Sequence, residues 1–243
     1  AAEYDYIEIV KCLIKAGASV DKAKKNDGKT ALIYAVFNGH KETVKCLIKA
    51  GASVDKATND GRTALMCAAV KGHVETVELL IQAGAKVDHA DKIKWTALIY
   101  AAEDGYKEAA DCLIRAGAKV NHVNLCENTA LMAAAEFGYT ETAALLISHG
   151  AEVNHCDIYR QTALMLAIVN NHEVTAELLM SHGADIDHAD VQNRTALMFA
   201  ADLGHDKIVS LLLDSGAQID KSNNQGNTAW MLALKKKNKA TLK

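Results

Sequence analysis

The chain has 243 residues, half of them apolar, with only 5% aromatic residues, no proline and a formal net charge of −3. It holds no uninterrupted apolar run of about 18 residues, so no membrane insertion is expected, and few aromatics among many alanines suit thin layers of closely approaching helices better than one thick core. The charge is unevenly spread: residues 1–62 hold 11 Lys and Arg against 8 Asp and Glu, residues 63–234 hold 11 against 22, and residues 235–243 hold 5 against none. An acidic middle argues against nucleic acid as the main ligand and for a basic partner.

In chain order, Ala1 to Tyr6 align with Ala35 to His40, so the chain is expected to begin within a repeat, as a partial unit over 1–25. Gly17-Ala18 is the first of a series continued by Gly51, Gly84, Gly117, Gly150, Gly183 and Gly216, each followed by Ala. The first step is 34 residues and the others 33, which places one extra residue in the charged stretch Lys22 to Asp27, where a turn absorbs it.

Thr30-Ala31-Leu32 then opens a second series, repeated at Thr63, Thr96, Thr129, Thr162, Thr195 and Thr228 at a constant 33 residues. Such a period marks an array whose units cannot bury their apolar faces alone and stack on their neighbours. Within one unit, Thr30 is placed to cap a short apolar helix, Ala31 to Val36. Gly39 ends it in the left-handed conformation. Gly72, Gly105, Gly138 and Gly204 repeat this stop, and Asn171, the next-best residue for that conformation, replaces it once. A second helix follows His40, with Val44, Leu47 and Ile48 as its buried stripe. Gly51 ends that helix, and a polar turn closes the unit as a projecting hairpin. Repeats are expected to start near 26, 59, 92, 125, 158 and 191, with a partial unit over 224–243. The whole of 1–243 reads as a single domain and as a segment of a longer protein.

The resulting pattern, G-x-T-A-L-x-x-A-A-x-x-G-H-x-E-x-V-x-x-L-I-x-x-G-A-x-V-D, resembles the ankyrin repeat and covers essentially the whole chain. The resemblance implies an all-α, helix-turn-helix repeat solenoid with projecting β-hairpin loops. It also implies a non-catalytic protein-protein interaction module whose hairpin tips and inner helices form a concave binding face. Two departures are systematic. Ala follows Thr where the family usually has Pro, and Ile33, Met66, Ile99, Met132, Met165, Met198 and Met231 stand where it usually has His. The methionines at this inner-helix site read as core.

Candidate chemistry is sparse. Cys12, Cys46 and Cys112 share one outer-helix position and Cys67 falls in an inner helix, so these read as small core hydrophobes of a reducing compartment, cytoplasmic or nuclear. Cys126 and Cys156 lie in turns and are the candidates for redox or metal chemistry. His89, His122, His155 and His188 form a column at one hairpin position. Metal ligands must converge about 2 Å from one ion, whereas stacked units are about 10 Å apart, so the column reads as turn residues and no metal is expected. His40, His73, His172 and His205 match the family's structural Gly-His pair. Asn121 and Asn154 lie in V-N-H turns resembling those hydroxylated in some family members. No nucleophile elbow, phosphate-cradling loop or zinc signature appears, so no enzyme activity and no cofactor are expected.

Tips near the ends of the array are polar, while the middle tips carry Trp95, Leu125, Ile158, Tyr159 and Val191, with Phe137 and Leu203 on the helices. Glu103, Asp104, Glu127, Glu136, Arg160 and Asp202 rim them, a composition typical of interaction hot spots. The expected ligand is a protein or peptide of basic and apolar character, bound over residues 92–204 by a monomer. The alternatives are a nucleotide or oligonucleotide sensor, with Trp95 stacked on a base beside Lys92 and Lys94, and a regulatory or spacer segment of a larger enzyme, channel or effector.

Overall fold

The computed structural model describes residues 1–241, with side chains through Lys235. The end of the expected partial unit over 224–243, residues 242 and 243, therefore lies outside the described residues. Two compact units divide the chain, Ala1–Leu125 and Cys126–Lys243, and both are all-α repeat solenoids.

Unit 1 begins with a 3-10 turn, Ala2–Tyr4, and an outer helix α1, Ile7–Lys15. Three helix pairs follow: α2 (Ala31–Phe37) with α3 (Lys41–Lys49), α4 (Ala64–Val70) with α5 (Val74–Gln82), and α6 (Ala97–Glu103) with α7 (Lys107–Arg115). Unit 2 continues the form with α8 (Ala130–Glu136) and α9 (Thr140–Ser148), α10 (Ala163–Val169) and α11 (Glu173–Ser181), and α12 (Ala196–Leu203) and α13 (Asp206–Asp214), before α14 (Ala229–Thr241). Within each unit the seven- and eight-residue helices, joined in unit 2 by α14, form an inner row and the nine-residue helices an outer row. The paired helices pack on each other, and each row is held by contacts between like elements of adjacent repeats of the unit.

The sequence periodicity dictates these elements. Each repeat threonine from Thr30 to Thr228 accepts a hydrogen bond from the backbone N–H three residues on, for example Ile33 N to Thr30 Oγ1 at 3.3 Å and Met132 N to Thr129 Oγ1 at 3.2 Å. Caps of this kind stabilise a helix by about 1 kcal/mol each. Burial supplies the larger share, since helices of seven residues are too short to persist alone. Leu32, Ile33, Leu65, Met66, Leu98, Ile99, Leu131, Met132, Leu164 and Met165 are essentially fully buried, each contributing roughly 1.5–3 kcal/mol. Alanines at the facing positions, Ala35, Ala68, Ala101, Ala134 and Ala167, let the helices approach closely. The methionine stripe is core as expected except at Met231, which is half exposed on α14.

The connections between repeats are hairpin tips closed by one backbone hydrogen bond, such as Thr58 N to Arg62 O at 2.9 Å and Asp190 N to Arg194 O at 3.0 Å. The first tip closes from Lys24 N to Lys29 O at 2.9 Å. It therefore spans one residue more than the others, which is where the sequence required an insertion. Ladders are minimal: among the described residues there are only the isolated bridges Cys156 to Thr162 and Ser222 to Thr228.

Two sets of hydrogen bonds tie neighbouring repeats together. At the tips, Asn59 N donates to Asp27 O (2.8 Å), Lys92 N to Asp60 O (3.0 Å) and Leu125 N to Ile93 O (3.1 Å) in unit 1. In unit 2, Ile158 N donates to Cys126 O (3.2 Å), Val191 N to Tyr159 O (3.0 Å) and Asn224 N to Gln192 O (3.0 Å). At the hairpin bases a side-chain oxygen accepts the backbone N–H of the next repeat: Asp55 from Lys86 and Asp88 from Lys119, both at 2.9 Å, Asn154 from Asp185 at 2.8 Å and Asp187 from Gln218 at 3.0 Å. Asn154 also donates to Gly183 O at 3.0 Å, so both ends of its amide are committed.

The cysteines differ from expectation at one place. Cys67 and Cys112 are buried and Cys46 is half-buried, but Cys12 is exposed because α1 has an outer-helix neighbour only on the α3 side. Burial pushes the Cys67 thiol up to about 11, so it stays protonated at neutral pH.

Two helix-ending glycines separate backbone strain from steric room. Gly51 (φ +84°) faces open space, whereas a Cβ on Gly72 (φ +63°) would stand 2.4 Å from Cδ1 and 2.8 Å from Cγ of Tyr106. Gly51→Ala should cost about 1–2 kcal/mol from the left-handed backbone alone. Gly72→Ala should cost at least 1 kcal/mol more, because the base of the Tyr106 ring must move. Chemical denaturation of the two variants checks the order, and equal losses would refute it.

Candidate functional site: the tip and inner-helix face

In unit 1 the site residues hang on the tip that begins at Asp91. Its carboxylate is buried, and Oδ1 accepts from Ile93 N at 3.0 Å and Trp95 N at 2.8 Å, which folds the tip back on itself. Oδ2 accepts from the Tyr100 hydroxyl at 2.7 Å. Burial, then the adjacent Asp91 carboxylate, push the Tyr100 hydroxyl far above its ordinary range, so it remains a donor. Trp95 is half-buried, its ring centroid 4.9 Å from that of Tyr100 at 45°. It is thus a wall of the face and not a free projecting ring. Ile93 and Leu125 stand exposed on neighbouring tips. Glu103 is half-buried and Asp104 exposed at the end of α6. Desolvation raises the Asp104 carboxyl, and Lys71 pulls it partly back.

In unit 2, Phe137 ends α8, 47% exposed and stacked on Tyr139 at 6.4 Å between centroids. Ile158 and Tyr159 project side by side from one tip, 47% and 58% exposed, and Val191 projects from the next. Glu136 is half-buried and Arg160 exposed. Asp202, exposed, and Leu203, half-buried, line an open groove of about 570 Å³ with Gln192, Arg194, Phe199 and Asn223. Arg194 is held rigidly: Nε and Nη2 donate to the buried Asp190 at 2.9 and 2.8 Å, and its guanidinium lies 4.3 Å from the Phe199 ring centroid.

The histidine column is a row of braces. His122 Nε2 bonds Lys94 O at 3.0 Å, His155 Nε2 bonds Glu127 O at 2.8 Å and His188 Nε2 bonds Arg160 O at 3.0 Å. Each spans from one tip to the base of the following hairpin. Among the described residues no group of three or more His, Cys, Asp or Glu side chains is placed to hold a metal ion. Cys126 is exposed, whereas Cys156 lies 3.4 Å from His188 Nε2, and burial raises its thiol.

Sequence reasoning missed a feature of the tips. Lys94, Glu127, Arg160 and Asn193 hold φ between 58° and 62°, at the position occupied in other tips by Gly28, Gly61 and Gly226. The signal was a glycine that drops out of an otherwise regular series. Sequence reasoning also missed the buried tip carboxylates Asp91, Asp157 and Asp190.

A family model described as ankyrin repeats (3 copies) matches residues 1–91, 57–124, 98–190 and 187–243. Among solved structures, the chain is similar to the crystal structure of the human ASB11 ankyrin repeat domain. Identity is 26%, the match covers 84% of this chain and 92% of that one, and the TM-score is 0.79. A search of curated proteins returns no match.

Tyr100→Phe removes the hydroxyl bonded to the buried Asp91 Oδ2 while keeping the ring against Trp95. The expected loss is about 1–3 kcal/mol of stability, the cost of a buried acceptor left without its donor. Thermal or urea unfolding measures it, and a neutral substitution would show that water replaces the hydroxyl.

Proposed function

Because the chain belongs to the ankyrin repeat family, we propose that it is a non-catalytic binding module whose middle tips and adjoining inner helices grip a polypeptide of basic and apolar character. Ankyrin repeats are generally protein-interaction modules, and their fold is typically non-catalytic. Unit 1 offers Trp95, Glu103, Asp104 and Leu125 to such a partner. Unit 2 offers Glu136, Phe137, Ile158, Tyr159, Arg160, Val191, Asp202 and Leu203.

The observation that carries this reading is the backbone of the middle tips. Left-handed conformation costs a non-glycine residue about 1–2 kcal/mol, and Lys94, Glu127 and Arg160 all adopt it. Glycine at these positions would serve the fold equally well, because the histidine braces use only the carbonyl oxygens. The strain is retained with three long charged side chains on the tips, beside exposed Ile93, Leu125, Ile158 and Tyr159. Local strain kept without structural gain gathers where a surface has work to do. The acidic side of the expected complementarity rests on Glu103, Asp104, Glu136 and Asp202. For Asp104, whose carboxyl is raised by desolvation, an arriving ammonium or guanidinium would favour the charged form.

A displayed peptide library selected on the intact chain should return sequences rich in Lys and Arg with aromatic or aliphatic anchors. The variant Phe137→Ala, Ile158→Ala, Tyr159→Ala should lose at least about tenfold in affinity for the selected peptides, with its helical circular dichroism unchanged. Undiminished affinity would remove the reading. Arg160→Gly makes the complementary test: it should raise stability by about 1 kcal/mol and weaken the same peptides. A stabilised variant with full affinity would show that the strained tip is idle.

A further inference from the structure

A second surface, on different residues, lies in the first half of unit 1. Residues 22–72 hold ten Lys and Arg against four Asp and Glu, whereas the rest of the chain is acidic. Part of this charge is organised around two rings. Lys29 Nζ lies 5.5 Å and Lys71 Nζ 4.7 Å from the Phe37 ring centroid, so two ammonium groups share one ring. Lys24 and Lys29 approach the Tyr34 ring at 5.7 and 5.6 Å, and Lys24 Nζ donates to the Tyr34 hydroxyl at 3.3 Å. Arg62 sits on a different ring, its guanidinium 5.1 Å from the Tyr100 ring centroid. Phe37, Lys24 and Lys71 are exposed.

We propose that Lys24, Lys29 and Lys71, arrayed around Tyr34 and Phe37, form a docking surface for an acidic polypeptide segment. Charge complementarity gives the sign of the partner. The rings add preorganisation: an ammonium resting on an aromatic face has already surrendered part of its rotamer freedom, and a carboxylate that engages it loses less entropy on binding. The same geometry selects polypeptide over single-stranded nucleic acid. A nucleic acid needs bare ring faces for its bases, and the Phe37 ring already carries an ammonium from Lys29 and another from Lys71. A carboxylate also sits inside the patch: Asp27 Oδ2 is 3.9 Å from Lys29 Nζ and accepts from the Tyr34 hydroxyl at 3.2 Å. A continuous phosphate backbone would meet it, whereas spaced Glu or Asp side chains can avoid it.

The test is fluorescence anisotropy on the intact chain with a labelled peptide of alternating Glu and Leu, against oligothymidylate of equal charge and a Lys-Leu peptide. The acidic peptide should bind best and weaken with added salt. The variant Lys29→Glu, Lys71→Glu should lose at least about tenfold. Lys45→Glu, Lys49→Glu on the outer helix α3 makes the same charge change away from the rings and should stay within about twofold. Phe37→Leu keeps every charge but releases the two ammonium groups, and should weaken binding severalfold with circular dichroism unchanged. Equal losses from the two charge reversals would reduce the effect to net charge and overturn the proposal. So would tighter binding of oligothymidylate, failure of the wild-type chain to bind the acidic peptide, or an inert Phe37→Leu.

Discussion

Everything in this protein depends on a hydrogen-bond debt that one repeat alone cannot settle. Each hairpin tip leaves a backbone N–H facing outward, and within each unit the carbonyl of the preceding tip accepts it, as Tyr159 O does for Val191 N at 3.0 Å. One level lower, Asp55, Asp88, Asn154 and Asp187 accept from the following repeat. Each of these bonds gives a backbone donor a partner that only a neighbouring repeat supplies. These bonds therefore fix the register between repeats, while the apolar inner helices supply the driving force. Helices of seven and nine residues have too little intrinsic stability to exist otherwise. The 33-residue period is the sequence's record of that mutual dependence.

Much of this was legible in the residues. The threonine caps, the helix-ending glycines, the exceptional Asn171 and the long first tip all follow from local backbone chemistry, and local chemistry is written in residue type. What escaped notice depends on partners that residue type does not reveal. The histidine column was visible, but its acceptors are main-chain carbonyls of Lys94, Glu127 and Arg160, which leave no side-chain signature. Trp95 looked like a free tip because the averaged repeat hides its neighbour: position 100, like Tyr34, carries Tyr, where other equivalent sites hold Cys67, Ala133, Leu166 and Phe199. The strained tips were signalled only by a missing glycine, a negative feature that a consensus pattern passes over. Cys12 diverged from Cys112 because cover by the preceding outer helix, which Glu78 of α5 gives Cys112, is a property of place in the row.

Division of labour explains the pattern of variation. The hairpin-base side chains bonded to the neighbouring repeat, Asp55, Asp88, Asn154 and Asp187, hardly vary in kind, while the tips, which bond through the backbone, and the inner-helix ends differ from one copy to the next. Arg194 shows how the two interlock: Asp190 folds the tip through its Oδ1 and clamps the guanidinium through its Oδ2, so that the base of the scaffold also orients a surface group. Asp91 does the same for Tyr100 and, through it, for Trp95. A rigid frame of this sort lets exposed side chains meet a partner without first being ordered, which lowers the entropic cost of association.

Residue-resolved hydrogen exchange measures the founding constraint directly. The amides of Asn59, Lys92, Leu125, Ile158, Val191 and Asn224 should exchange far more slowly than those of an open loop, despite their places on solvent-facing tips. Exchange of these amides at the rate of an unstructured peptide would mean that the tips are not locked to one another and would contradict the account.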